Sequence, residues 1–164
     1  MKFIATLFCC LMFVAGFAET IGNLEYQLPE GAKDWEMANK LHNEKGTTLI
    51  YIPKGASRET SKESFGINTN YFSSNLDDGS EIKMALKAIY PEMNIELQIL
   101  EKGDNGLVYE WAAKESGQEK VHGWGRVFST QDGSTVLSYQ TENIPDLNKA
   151  RNIWLPALKK AHQR

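Results

Sequence analysis

The sequence predicts an α+β domain in which a central antiparallel sheet carries helices on both faces. Three observations lead there. Four strand-like segments follow one another in the second half of the chain with short turn signals between them. Short turns between consecutive strands imply antiparallel pairing. Amphipathic helical segments precede and follow that meander. Pairing across the meander then puts large apolar side chains on both sides of the sheet, whereas a sheet with one wet face alternates more cleanly.

The chain opens with Met1-Lys2 and an apolar run from Phe3 to Phe17. A positive start, an apolar stretch and small residues at Gly16 and Ala18 form the pattern of a signal peptide cut after Ala18. A retained membrane helix would need roughly 20 apolar residues, and this run ends at Glu19. Residues 1–18 are therefore expected to leave, and 19–164 to form one domain. Cys9 and Cys10 leave with the leader, so the mature domain has neither disulfide nor thiol nucleophile. Acidic and basic residues are interspersed, for a formal net charge of −3. That leaves no basic footprint for nucleic acid and no polybasic patch for anionic lipid. No apolar run after Ala18 reaches spanning length, and no Asn-x-Ser/Thr acceptor occurs. The expected address is periplasmic or extracellular.

Leu24 to Leu28 reads as a short strand stopped by Pro29-Glu30-Gly31. Trp35, Met37 and Leu41 at odd positions read as a strand, with a helix as rival. Asn43 to Gly46 is a turn, and Thr47 to Ile52, rich in β-branched residues, is a strand. Ser57 to Ser64 suits a helical turn, and Phe65 to Phe72 a strand. Asp78 and Glu81 have capping-box spacing before a helix whose stripe is Ile82, Ala85, Leu86 and Ile89, ended by Pro91. The meander spans Asn94 to Lys102, Leu107 to Lys114, Lys120 to Ser129 and Ser134 to Thr141. A last helix starts at its N-cap Asp146 and faces inward with Leu147, Ala150, Trp154, Leu158 and Ala161. Pro156 should kink or restart it.

A turn centred near Gly117 sets residue 110 against 124, and cross-strand partners share a face. One face then carries Val108, Glu110, Ala112, His122, Trp124, Arg126 and Val136. The other carries Tyr109, Trp111, Ala113, Gly123, Gly125, Leu137 and Tyr139. Gly123 and Gly125 leave room for neighbouring aromatic rings to lie over them. A ligand cleft is the alternative use of that room.

Glu110, His122, Trp124 and Arg126 form the candidate binding surface. A histidine beside a carboxylate over an aromatic floor can do acid–base chemistry. A cross-strand Glu110–Arg126 pair with a half-exposed histidine is the structural alternative. The sequence calls for no cofactor. His42, His122 and His162 lack metal-ligand spacing, and neither a nucleophile elbow nor a phosphate-cradling loop occurs. Asp77-Asp78-Gly79 lacks the alternating carboxylates of a calcium loop.

Tyr51-Ile52-Pro53-Lys54-Gly55, then a short helix, a strand, a helix, the meander and a closing Trp154-x-x-x-Leu158, resembles small exported bacterial proteins of unknown function. The strand order is similar to the PsbP/Mog1-like α/β/α sandwich. That resemblance implies helices on both faces of the sheet and a binding or accessory role, and it transfers no site residue. The expected function is a non-enzymatic exported domain that binds a protein or a small ligand. A cystatin- or NTF2-like cone would instead carry an apolar ligand in a deep pocket beneath the Ser80–Tyr90 helix, and a pocket lined by Trp111 and Tyr139 with no helix over it would favour ligand binding. A hydrolase, third, would rest on Glu110 with His122.

Overall fold

The computed structural model describes residues 19–21, 24–44, 46–69, 79–104, 106–130 and 133–163. The leader, its two cysteines and the expected Asp78 cap lie outside the described residues, as do the last residues of the strand predicted to run to Phe72. Ten strands and two α-helices occur among those described. They are β1 (Glu19–Ile21), β2 (Leu24–Tyr26), β3 (Trp35–Asn43), β4 (Gly46–Pro53), β5 (Glu63–Thr69), α1 (Ser80–Ile89), β6 (Asn94–Gly103), β7 (Gly106–Glu115), β8 (Gln118–Thr130), β9 (Gly133–Thr141), α2 (Leu147–Lys160) and β10 (His162–Gln163).

β3 to β9 build a seven-stranded sheet in the order β3-β4-β5-β9-β8-β7-β6. Every neighbouring pair is antiparallel. The late meander is therefore as predicted, and β9 returns to pair with β5, which joins it to the β3-β4-β5 meander. β1, β2 and β10 form a separate three-stranded sheet. Both edge strands of the large sheet are bulged, β3 between Met37 and Asn39 and β6 between Ile99 and Glu101. A bulge twists an edge away from stray pairing. No helix among the described residues is long and apolar enough to cross a membrane.

Two clusters of buried side chains fill the domain. One joins Ala150, Trp154 and Leu158 of α2 to Phe65, Ile67, Trp124, Leu137 and Tyr139 of the sheet, with Leu24 and Tyr26 at its flank. The other joins Ile82 and Leu86 of α1 to Ile95, Tyr109, Trp111, Val127 and Val136. The predicted inner face of α2 is the observed one. On α1, Ile82 and Leu86 are buried but Ile89 is 57 % exposed, so the predicted inward stripe ends a turn early. α2 also passes through Pro156 unbroken, against the expected kink. Pro156 is exposed, so the Asn152 carbonyl it leaves without a helical donor sits on the solvent side. Asp146 holds the N-cap position without a side-chain cap bond, and its carboxylate accepts from Asn143 Nδ2 at 2.8 Å instead.

The register of β9 differs from the predicted one. Thr130 pairs with Gly133, so Trp124 faces Tyr139, Arg126 faces Leu137, and Val127 faces Val136. Leu137 and Tyr139 thus share the face of Trp124, and Val136 belongs to the other. A single-residue error in placing a turn flips every side chain of the next strand. The β7–β8 register is as predicted, with Glu110 opposite Trp124. Its turn is set by Ser116 and Gly117, at φ of 48° and 80°, the left-handed pair that a two-residue hairpin requires.

Candidate functional site

Glu110, His122, Trp124 and Arg126 do lie on one face of the β7–β8 hairpin. α2 packs against that face, and its contacts decide what the four residues do. Glu110 does not pair with Arg126. Its carboxylate instead receives Arg151 Nη1 from α2, at 3.0 Å to each oxygen, and His122 Nε2 at 2.9 Å. The His122–Glu110 contact is the diagonal neighbour pair of the hairpin. The Arg151 contact is made possible by the helix.

His122 meets a second carboxylate, with Nδ1 2.7 Å from Glu119 Oε1. Residues three apart on a strand normally point to opposite faces. Here β8 is bulged: Ala113 pairs with Val121 and Lys114 with Glu119, so Lys120 is the extra residue. The bulge turns Glu119 onto the face of His122. Both ring nitrogens therefore lie within hydrogen-bonding distance of carboxylates. Glu110 and His122 side chains are only 14 % and 12 % exposed.

Arg126 reaches the other end of α2. Its Nη1 donates to the carbonyls of Lys159 at 2.6 Å and Leu158 at 3.4 Å, and its guanidinium lies 4.5 Å from the Phe128 ring centre. The last helical carbonyls lack internal donors and carry partial negative charge, so a cation there satisfies both needs. Burial lowers the Arg126 pKa from its ordinary range, and nearby Glu101 opposes that shift. Glu101 in turn takes Lys159 Nζ at 2.8 Å, and that contact holds its carboxyl below the usual range.

Trp124 is 1 % exposed and so belongs to the core rather than to a binding surface. Its ring is 4.6 Å from that of His122 and stacks at 6.0 Å on Tyr139. Tyr139 stacks in turn on Trp154, at 4.5 Å, and Trp154 on Phe65, at 5.1 Å. Tyr139 donates to Glu63 Oε1 at 3.2 Å, and burial, reinforced by Glu63, raises its phenol well above the usual range. The Trp124 indole Nε1 has no hydrogen-bond partner among the described residues.

The two strand glycines are packing positions. A Cβ on Gly125 would collide with the Tyr109 ring, and one on Gly123 with the Trp111 ring. Trp111 lies 5.5 Å from Tyr90, whose hydroxyl donates to Gln140 at 3.2 Å. Trp111 and Tyr139 are thus on opposite faces and cannot line one pocket, and the space between α1 and the sheet is filled by buried side chains. Among the described residues no group of three or more His, Cys, Asp or Glu is placed to hold a metal ion.

Open space occurs elsewhere. A groove of about 320 Å³ separates residues 25–30 from the C-terminal half of α2, where Ile153, Pro156 and Lys160 line it. Another, of about 420 Å³, lies between the outer flank of α1 and the start of β6.

Sequence reasoning missed two members of the polar cluster. Glu119 was hidden by the bulge, since simple alternation assigns it to the wrong face. Arg151 comes from a helix far along the chain and carries no local signal.

No family model matches the sequence, and no curated protein matches it. The chain is similar in structure to the cyanobacterial PsbP (CyanoP) of Synechocystis sp. PCC 6803, solved in solution, with a TM-score of 0.60 at 9% identity. The likeness covers 90% of this chain and 91% of that one. The fold is therefore PsbP-like, and at that identity the likeness carries the fold alone.

Proposed function

We propose that this chain is an exported, non-enzymatic binding or accessory domain, built as a sandwich with a helix on each face of its sheet. The layering is supported by the two core clusters. α2 packs with Trp124, Leu137 and Tyr139, and α1 with Tyr109, Trp111 and Val127, sets of opposite pleat parity in the observed register. The leader pattern of residues 1–18 supports export to the periplasm or beyond.

One observation carries the non-enzymatic reading. The groups on this face best suited to acid–base work are already engaged, Glu110 and Arg126 with α2 and His122 with carboxylates of the hairpin itself. Both His122 nitrogens face carboxylates, both Glu110 oxygens face Arg151, and Arg126 serves the helix carbonyls. General acid–base catalysis needs a group within reach of the substrate and free to exchange its proton. A domain so built acts through its surface.

The test is capture of partners from native envelope and culture medium on the immobilised protein, with an esterase and glycosidase screen run on the same preparation. The reading expects one stoichiometric partner and no turnover. Turnover abolished by Glu110→Gln at unchanged melting temperature would replace it with the hydrolase.

A further inference from the structure

We propose that the groove between α1 and the start of β6 docks an acidic segment of a partner protein that carries an apolar anchor, a reading that rests on the binding role above. Ser80, Lys83, Met84, Lys87 and Ala88 are exposed. They are spaced three and four apart, so they share one flank of the helix. Met84 is 69 % exposed. The groove of about 420 Å³ runs along this flank, with Ser80, Lys83, Met84 and Lys87 on one side and Asn94 and Ile95 on the other. β6 is the edge of the large sheet, so the groove opens at its rim.

Charge identifies the occupant. The chain as a whole carries 21 acidic against 18 basic residues. Among the described residues the groove nevertheless has two lysines and no carboxylate in its lining. Lys83 is exposed on the groove side of the helix. Lys87 Nζ donates to the Met93 carbonyl at 2.7 Å. An ammonium has three donors, so Lys87 is held in place with donors to spare. The nearby Glu96 is already engaged by Lys114 at 2.6 Å. Carboxylates on the partner complement this lining. Between the lysines stands Met84, whose unbranched, polarisable side chain adapts to whatever apolar group meets it. Lipid is the poorer match, because polybasic segments that hold anionic membranes gather roughly four to eight cations, against two in this lining.

The experiment follows amide shifts of the isotope-labelled protein during titration with a peptide of alternating glutamate and leucine. A lysine–leucine peptide and mixed phosphatidylglycerol–phosphatidylcholine vesicles are titrated alongside. The groove predicts shifts confined to residues 80–89 and 94–95 with the acidic peptide alone. Affinity should fall about tenfold in the Lys83→Glu/Lys87→Glu double variant, and it should fall with added salt. Both lysines are exposed, so unchanged amide positions elsewhere will show that the variant is folded. Shifts centred on another surface overturn the groove and leave the binding role standing. Equal binding of the vesicles replaces the protein partner with a lipid. No response to any probe removes the groove, while the binding role stands or falls with the capture of a partner.

Discussion

The two helices are attached to the sheet by different means. α2 buries Ala150, Trp154 and Leu158, stacks Trp154 between Tyr139 and Phe65, and is tied at three points by Arg151 to Glu110, Arg126 to its last carbonyls, and Lys159 to Glu101. α1 buries Ile82 and Leu86 and leaves Met84 and Ile89 in solvent. Glu110 and Arg126, two of the candidate residues read from the sequence, thus contact one helix. α1, with Met84 and Ile89 exposed, is the one with apolar surface to offer.

The largest expected effect follows from that contrast. Trp154→Ala should cost about 3–5 kcal/mol and more than Ile82→Ala, at about 2–5 for a single aliphatic chain, because Trp154 also loses its stacking on Tyr139 and Phe65. Urea unfolding of both variants measures this, and the reverse order would break the comparison.

Alkaline pH separates the two sides next. Tyr139, beneath α2, is raised by burial and Glu63, and Tyr90, beside α1, is raised by burial and Glu142. Each keeps its proton when folded, while in the unfolded chain it ionises near an ordinary value of about 10. Their contribution is therefore complete below that pH and is lost as pH rises through the folded values. Phenolate absorbance should appear together with loss of structure. Tyr139→Phe should relieve this sensitivity more than Tyr90→Phe, since its shift is the larger. Equal relief would show that the two sides are equally closed.

The polar fastening is smaller. Arg151 is 46 % exposed, which weakens its pull on Glu110. A double-mutant cycle of Glu110→Gln and Arg151→Ala should give a coupling of about 0.5–1 kcal/mol. Smallest of all, Met84→Ser should change stability by no more than about 0.5 kcal/mol, as expected of a side chain in solvent. A larger loss would mean that Met84 belongs to the core.

Much of this could be read from the residues. Gly103 to Gly106, Ser116-Gly117 and Asp132-Gly133 punctuate the meander, and those signals are local, so its four strands appear close to where they were expected. The helical face of Ala150, Trp154 and Leu158 is legible because its period is regular. What escaped depends on single-residue register or on tertiary approach. The loop after Thr130 decides which face Tyr139 occupies, and alternation alone cannot count it. The extra Lys120 in β8 brings Glu119 to His122 against the strand period. Arg151 reaches Glu110 only once α2 has docked. The four candidate residues were rightly placed on one face, but their partners, and hence their role, were not local.

The central claim is that Glu110, braced by His122 within the hairpin, fastens α2 through Arg151. Native-state hydrogen exchange on Glu110→Gln tests it most directly. The account predicts faster exchange of the amides in residues 151–160 while those of 82–89 keep their protection. If protection in α2 were unchanged and partner binding or turnover were lost instead, the cluster would be a working site, and the fastening role would be wrong.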